Sequence, residues 1–486
     1  MDSYTFFNWG LLLLTFALLI YLGYLSSKLM KKNDESGFLV AGRSLGAFVG
    51  AGTIVATGFS GWGFMGSPGV TYEFGAIEVL GNFFFAPAMV IAVLYFASFL
   101  QRKAAGMGSN TIPEYIAQSH GGGTMGRVVQ GVAALITITL LLVFLTSQIK
   151  AVGLLGASWL GIDLDQSATL MVGVIIIYTM LGGLAAVAWT DTVMVCGMAL
   201  AAVIIIVQML SSVDLSHWEA ALNAADPELL NPTSGKHYGD SRGTVFLVLP
   251  YAFLFTAVLP FMAVRFLAFK PEVKLHKVGV YVAILGALLS LIPIVGLYVR
   301  MQVPDLADPD NAMPVYLERF MHPAIQGIIT LFIIFAMKST ANSLLHTVAS
   351  ATSHDLRLAL FKDGAANSRR ALFVNRAAVL VLGVVALLMM LYAPPFMLSW
   401  LGILGTGTLL ASLIGPVFIS TFWQGTAWGA LIAMLVGFFT SGYMMLFADV
   451  GWLVGPLTGC AVSSACYVGV SLLTQHRKVG RATAQF

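Results

Sequence analysis

The stretch ATGFSGWGFMGSPG, residues 56–69, lies inside a long apolar segment and carries five glycines together with Pro68. A second apolar segment, LVLPYAFLFTAVLP at residues 247–260, contains Pro250 and Pro260. Both segments predict helices that break midway, because glycine and proline weaken or interrupt the helical hydrogen-bond ladder. Backbone unwound at membrane depth is tolerated only where protein or a water-filled cavity satisfies its N–H and C=O groups. The two stretches therefore predict a binding site between two broken helices.

The composition is that of a membrane protein. Of its 486 residues 58% are hydrophobic and 10% are charged, with a mean hydropathy of +0.88, whereas about a quarter of a soluble domain is charged. The sequence predicts an all-α polytopic protein that forms a single domain over residues 1–486. Thirteen spans are predicted, at residues 5–30, 45–73, 76–100, 126–156, 165–187, 189–212, 244–268, 275–302, 320–354, 372–393, 396–422, 425–447 and 450–474.

The basic residues are unevenly distributed over this helix plan. With the N-terminus outside, 19 of the 25 Lys and Arg residues fall in cytoplasmic segments, as expected for inward-facing loops. That count includes Arg265, near the end of the seventh predicted span. The asymmetry explains where the basic residues lie, so the net charge of +3 does not indicate a nucleic-acid partner.

Enzyme motifs are absent from the sequence. Its three cysteines lack metal-ligand spacing, and there is no HExxH, phosphate-binding loop or nucleophile elbow. We therefore expect no enzyme activity.

The ninth predicted span carries an unusually polar stretch, KSTANSLLHTVASATSHDL at residues 338–356. On a helix, Ala336, Ser339, Thr340 and Ser343 share one face, because they are three or four residues apart. Hydroxyls and a freed carbonyl on such a face can replace part of the hydration shell of a hard cation. Alternatively, the hydroxyls bond to the preceding helical turn or to a neighbouring helix.

Three stretches resemble the solute:sodium symporters, a family that includes bacterial proline, pantothenate and sialic acid transporters. They are SGWGFMGSPGVTYEFG from residue 60, YTMLGGLAAVAWTDTVM from residue 178, and the polar stretch from residue 338. The resemblance implies alternating access, driven by sodium, in a bacterial cytoplasmic membrane. It also implies a LeuT-like core of two inverted five-helix repeats, about 45–212 and 244–422, with flanking helices 5–30, 425–447 and 450–474.

The same resemblance implies two cation sites. Main-chain carbonyls of Ala56 and Phe59 would complete a sodium site with Ala336, Ser339 and Thr340. In some members an aspartate matching Asp191 joins hydroxyls to form an inner site. Here Asn342 and Ser343 hold those positions, and the asparagine weighs against a complete second site. The alternative for Asp191 is a helix cap at the membrane surface.

Five residues are candidates for solute binding: Thr57, Ser60, Gly61, Glu78 and Asn82. Glu78 alternatively lines an outer gate. Gly58 stands where the family's proline transporters have an aspartate, and VAALITITLLLVFLTS at residues 132–147 lacks the arginine of sialic acid transporters. Both substrates are therefore disfavoured, and a small carboxylate, an amino acid or a vitamin-like acid is expected.

Lys338 is the outlier of the polar stretch, because a lysine within a span is costly and usually marks function. It could neutralise an anionic solute, occupy part of a cation site, or pair with Asp191 or Glu78. Proton coupling, an uncoupled permease, and a sensor acting through a separate protein remain alternatives to sodium symport. The expected partners are the solute and the bilayer, without an obligate protein partner.

Overall fold

The computed structural model describes residues 3–29, 35–212, 214–233, 236–239, 243–361, 368–392, 396–448 and 450–482. Those residues form helices joined by loops, with one isolated parallel bridge between Leu45 and Phe269. The first eleven α-helices are α1 (Ser3–Leu29), α2 (Glu35–Val40), α3 (Ala47–Gly58), α4 (Ser67–Phe74), α5 (Ala76–Ile91), α6 (Ala97–Met107), α7 (Ile112–Ser119), α8 (Gly123–Leu160), α9 (Leu164–Ser212), α10 (Leu215–Ala225) and α11 (Val248–Val258).

Eleven more follow: α12 (Pro260–Ala268), α13 (Leu275–Leu289), α14 (Ile294–Gln302), α15 (Ala312–Phe320), α16 (Pro323–Ser350), α17 (Leu356–Leu360), α18 (Ser368–Tyr392), α19 (Leu398–Leu413), α20 (Ser420–Phe422), α21 (Ala427–Phe447) and α22 (Val454–Ala482). Wider π-helical turns occur at Trp62–Gly66, Ala92–Phe96, Ala351–Asp355 and Ile414–Ile419. Short 3₁₀ turns lie at Ala41–Arg43, Pro227–Leu230, Lys236–Tyr238, Thr244–Leu247 and Pro309–Asn311.

Within the described residues, ten helical segments are long and apolar enough to cross a membrane, and two bent pairs bring the number to twelve. A shorter apolar helix, Leu164–Ile177, corresponds to the remaining predicted span. The all-α polytopic class is therefore confirmed, and the protein is a multi-pass membrane protein. The division into inverted repeats stays a prediction.

Both predicted helix breaks are present. Ala47–Gly58 and Trp62–Phe74 meet at 49°, with Phe59 and Ser60 outside regular helix. Thr244–Val258 and Pro260–Ala268 meet at 56°. The second break has a local cause: Leu259 is extended, with φ −65° and ψ 129°, because the ring of a following proline disfavours helical backbone in the residue before it.

The boundary between the fifth and sixth predicted spans lies at a different residue from the one expected. A boundary was expected near AVAWT at residues 186–190, yet the helix changes direction earlier, at Gly183. Its φ of 54° and ψ of −171° suit glycine, and a Cβ there would lie 2.9 Å from the Phe38 ring. The second half of α9 can thus pack along α3 and α16.

Backbone hydrogen bonds join the start of the first broken pair to the end of the second. The amide of Leu45, just before α3, donates to the carbonyl of Ala268 at 3.0 Å. The amide of Lys270 donates to the carbonyl of Leu45 at 3.1 Å. These bonds tie the start of α3 to the end of α12, so movements of the two broken helices are mechanically linked.

Candidate functional site

The hydroxyls of Ser339 and Thr340, midway along α16, face the end of α3. Ser339 Oγ lies 2.9 Å from the carbonyl oxygen of Ala56 and 2.9 Å from that of Ala336. Thr340 Oγ1 lies 3.1 Å from the carbonyl oxygen of Thr57. All five residues are buried. Thr340 Oγ1 also lies 3.3 Å from the carbonyl oxygen of Ala336. Hydrogen bonds therefore connect four of the five predicted sodium ligands, with Ser339 and Ala56 separated by 283 residues of chain.

Phe59, the fifth predicted ligand, directly follows α3. Its φ of −89° and ψ of 67° end the helix, while its amide still donates to Val55 at 2.8 Å. The ring packs against Phe85, with centroids 5.9 Å apart. Because the side chain is committed to packing, any ligand from this residue is its carbonyl.

The oxygens gathered here are all uncharged. Hard cations prefer oxygen ligands, and a buried divalent ion among neutral ligands would leave two charges without a counter-charge, which is costly. No group of three or more His, Cys, Asp or Glu side chains that could hold a metal occurs within the described ranges. This set of ligands therefore suits a monovalent cation.

Next to this cluster, Asp191 of α9 forms an ion pair that the sequence analysis missed. Its Oδ2 accepts a hydrogen bond from Thr53 at 2.6 Å and lies 3.4 Å from Nη2 of Arg265. Arg265 also donates to the hydroxyls of Thr57 and Ser343, each at 2.6 Å. Asp191 is 0% exposed and Arg265 is 1% exposed.

The assignment of Arg265 to a cytoplasmic segment was therefore wrong. The residue falls in the second half of a broken helix, where it faces other helices instead of a loop. Its position inside the predicted span 244–268 could have indicated this burial, because a charged residue within a span usually faces the bundle interior.

Asn342, predicted for the second cation site, engages a different helix. Its Oδ1 accepts a hydrogen bond from the hydroxyl of Thr179 in α9 at 2.6 Å. One acceptor position of the amide oxygen is therefore engaged by α9, whereas Ser343 and Asp191 meet at Arg265.

A small cavity lies beside the break of α3. Its lining residues are Gly58, Ser60, Trp62, Phe85, Phe144, Tyr251, Phe255, Gly402, Ile403 and Thr406. None of these carries a charge, and the Tyr251 and Thr406 hydroxyls are 2.7 Å apart. The cavity is therefore mainly aromatic, with a few hydroxyls.

Of the predicted solute-binding residues, Ser60 lines this cavity and Gly61 adjoins it. The amide of Gly61 donates to Oε1 of Gln148 in α8 at 3.0 Å. Gln148 is buried and was not predicted. The side chain of Thr57 instead contacts Arg265.

Glu78 and Asn82 belong to a separate polar cluster and do not line the cavity. Oε1 of Glu78 accepts hydrogen bonds from Ser67 and Asn82, both at 2.7 Å. Oε2 accepts one from Tyr238 in the loop before α11 and lies 3.6 Å from Nε2 of His237. The arrangement agrees better with the gate-lining alternative for Glu78 than with solute binding.

Lys150 also takes part in a contact that the sequence did not reveal. Its Nζ lies 2.8 Å from Oδ2 of Asp310 and 2.9 Å from the carbonyl of Phe396. The Leu398 amide donates to the same carboxylate at 3.0 Å. Burial raises the pKa of Asp310, and Lys150 opposes that rise. The pair joins α8, the loop before α15, and the start of α19.

A second pocket, which contains a buried carboxylate, lies toward the other end of α8. It is lined by His346, Asp355 and neighbouring residues, and Oδ1 of Asp355 accepts hydrogen bonds from Thr111 and Gln130 at 2.6 and 2.9 Å. Gln130 and Lys150 are twenty residues apart on one helix, which corresponds to about 30 Å. The two polar regions therefore lie near opposite membrane surfaces.

Lys338 turns away from all of these sites. Its Nζ lies 3.9 Å from the ring centroid of Phe16 in α1. The side chain is buried, and Nζ has no hydrogen-bond partner within the part of the chain that is described. Pairing with Asp191 or Glu78, one of the three alternatives for Lys338, does not occur in this conformation.

Two broken helices, a cluster of neutral oxygens and an adjoining cavity between opposite membrane surfaces define a secondary transporter that uses a monovalent cation. The family model "Sodium:solute symporter family" matches residues 38–437, and the chain belongs to this family. The expected class, transport driven by sodium without enzyme activity, is therefore confirmed.

Individual relatives agree with this assignment. The chain is 29% identical over 387 residues to a high-affinity proline transporter of Bacillus subtilis, covering 76% of this chain and 78% of the relative. It is 26% identical over 385 residues to a sodium/pantothenate symporter of Haemophilus influenzae, covering 76% of each.

Solved structures share the fold. A substrate-bound, outward-open Na⁺-coupled sialic acid symporter has a TM-score of 0.79 at 17% identity, with 96% of this chain and 98% of that chain covered. A closed nucleobase-cation-symport-1 family transporter has a TM-score of 0.57 at 18% identity, with 89% and 94% covered.

Proposed function

We propose that the protein imports a small organic solute with a compact apolar body and one polar or anionic end, together with sodium. The observation that carries the sodium site is the approach of Ser339 and Thr340 to the carbonyls of Ala56 and Thr57, at 2.9 and 3.1 Å. Sodium would lie among Ala56, Phe59, Ala336, Ser339 and Thr340.

The solute would bind in the adjoining cavity. Its apolar part would contact Trp62, Phe85 and Phe255, and its polar end would face Ser60 and Thr406. Gln148 would orient the amide of Gly61 at this end. A buried solute that is large and highly charged is disfavoured, because the lining supplies no charged side chain to compensate it.

The two polar regions at the ends of α8 would act as gates. The Lys150–Asp310 pair and the Glu78 cluster would close the outer side, and the pocket beside Asp355 would open toward the cytoplasm. This orientation agrees with the excess of basic residues in the predicted inner loops, with the N-terminus outside and the C-terminus inside the bacterial cytoplasmic membrane.

Uptake into proteoliposomes tests the proposal. Labelled L-proline and pantothenate serve as first probes, since relatives carry these names, followed by small monocarboxylates and other amino acids. We expect accumulation of one of these solutes under an imposed sodium gradient and equilibration without it. Accumulation that follows a proton gradient and ignores sodium would instead support the proton-coupled alternative.

A further inference from the structure

The pocket formed by Asp191, Thr57 and Ser343 already contains a positive charge. Nη2 of Arg265 donates to Thr57 Oγ1 and Ser343 Oγ, each at 2.6 Å, and approaches Asp191 Oδ2 at 3.4 Å. Nε donates to Thr53 Oγ1 at 2.9 Å. The guanidinium thus engages both hydroxyls and Oδ2 of Asp191, while Oδ1 of Asp191 has no hydrogen-bond partner among the described residues.

We propose that the guanidinium of Arg265 is a tethered cation in the second cation position, so that the transporter binds one sodium ion per cycle. This inference rests on the sodium coupling proposed above. It assigns Arg265 a role in setting the number of coupling ions, beyond positioning the helices.

The hydrogen-bond pattern supports the substitution of a guanidinium for an ion. Thr53 accepts from Nε and donates to Asp191 at 2.6 Å. Ser343 accepts from Nη2 and donates to the carbonyl of Ser339 at 2.8 Å. The Thr53 hydroxyl thus connects the guanidinium to the Asp191 carboxylate. The Ser343 hydroxyl connects the guanidinium to the carbonyl of Ser339, a predicted sodium ligand. Hydroxyls around a bound ion would be arranged in the same way.

The charge balance also disfavours a second ion. Asp191 and Arg265 neutralise each other, and both are buried. A sodium ion that shared Thr57 and Ser343 would lie next to the guanidinium, and no unpaired negative charge remains there to compensate it.

Asn342 is the remaining residue that was predicted for the second cation site. Its Oδ1 is bonded to Thr179 at 2.6 Å, so it points its acceptor at α9. A second sodium at Thr57 and Ser343 would have to displace Arg265. The predicted sodium site, in contrast, involves no charged side chain.

Arg265 contacts residues of three other helices, which gives a reason for a cation that is covalently attached to the chain. Thr57 lies at the end of α3, Asp191 in α9, and Ser343 in α16, while Arg265 belongs to α12. A cation fixed to one broken helix keeps its contacts to the other without having to be loaded from solution. Its charge is therefore present in every step of the cycle.

Equilibrium binding of ²²Na⁺ to purified full-length protein tests the inference without a known solute. We expect one saturable sodium per wild-type chain, bound at least tenfold more weakly by Ser339→Ala/Thr340→Ala. A count of two in the wild type would overturn the inference while leaving sodium symport intact. A count of zero would contradict the proposed sodium coupling itself, and with it this inference.

Substitutions of Arg265 test whether its guanidinium excludes a second sodium ion. Arg265→Gln should raise the count from one to two, because Asp191 loses its counter-charge. The charge-matched Arg265→Gln/Asp191→Asn should return it to one. Arg376→Gln is the matched control, since Arg376 is exposed and contacts the Met180 carbonyl, and should keep one. A count of one in folded Arg265→Gln protein would overturn the inference.

Discussion

Ser339 Oγ lies 2.9 Å from the carbonyl oxygen of Ala56, although 283 residues separate them. The contact joins the unbroken helix α16 to the end of the broken helix α3. Because α3 also borders the cavity at Gly58 and Ser60, an ion bound at this contact would stabilise the same stretch of backbone that the solute touches. Binding of one would thereby favour binding of the other.

Ser339→Ala/Thr340→Ala should lower the apparent sodium affinity at least tenfold. The double variant removes two of about five oxygens, and each hydrogen bond or contact to a charged group contributes about 1.5–3 kcal/mol. Sodium activation of uptake measures the effect. Thr352→Ala is the control, since that hydroxyl bonds within its own helix, to Val348. An unchanged half-saturation in the double variant would remove the site assignment.

Gly61→Val should abolish uptake while the protein still reaches the membrane. A Cβ at Gly61 would lie 2.8 Å from Met337 Cγ and 2.9 Å from Gln148 Oε1, so the break would shift and lose the bond to Gln148. At Gly63 the nearest atom, from Phe59, is 3.6 Å away. Gly63→Ala should therefore transport normally. Normal uptake by the Val variant would mean that the solute binds elsewhere.

Lys338→Met should stabilise the protein slightly and leave sodium half-saturation within about twofold. Burying a lysine at the centre of a span costs about 2.5–3.5 kcal/mol, and the contact with Phe16 returns about 2 kcal/mol of this. Thermal unfolding of the purified variant and its uptake kinetics provide the measurement. A changed solute affinity would restore the original hypothesis that Lys338 acts near the solute.

Lys150→Met should destabilise the protein more than Asp310→Asn. Asp310 is 0% exposed, and removal of Lys150 leaves its buried carboxylate unpaired, at a cost of about 3–5 kcal/mol. An asparagine still accepts the hydrogen bond from Leu398. The double variant should recover most of the lost stability. Melting temperatures of the three variants test this, and equal losses in both single variants would contradict it.

Stability should depend on pH through His120, in the loop between α7 and α8. Burial lowers the pKa of His120 to about 4, while its hydrogen bond to the Ile116 carbonyl opposes the shift and Lys103 adds to it. The unfolded chain, with a pKa near 6.5, binds more protons between about pH 4 and 6.5, so stability rises with pH over that window. The full effect is on the order of 3 kcal/mol.

His120→Gln isolates this contribution. The imidazole also lies 2.7 Å from the Tyr467 hydroxyl, and glutamine keeps a polar group there without titrating. The melting temperature of the variant should fall less than that of the wild type between pH 7 and pH 5. Parallel curves for the two proteins would show that His120 does not carry the pH dependence.

Local sequence patterns determined the helices, both helix breaks and the face that carries Ser339 and Thr340. Apolar length placed the helices, because every backbone group in a bilayer must be satisfied within a segment, and glycine and proline at residues 56–69 and 247–260 located both breaks. Helical spacing also put Ser339 and Thr340 on one face, since positions three or four apart coincide on a helix.

Tertiary structure decided which of those groups meet. Arg265 and Asp191 are 74 residues apart, and no spacing rule links α12 to α9. Lys338 and Ser339 are adjacent, yet one faces Phe16 and the other Ala56. Successive residues on a helix point about 100° apart, so the neighbours that surround the helix, and not its own sequence, give each side chain its partner.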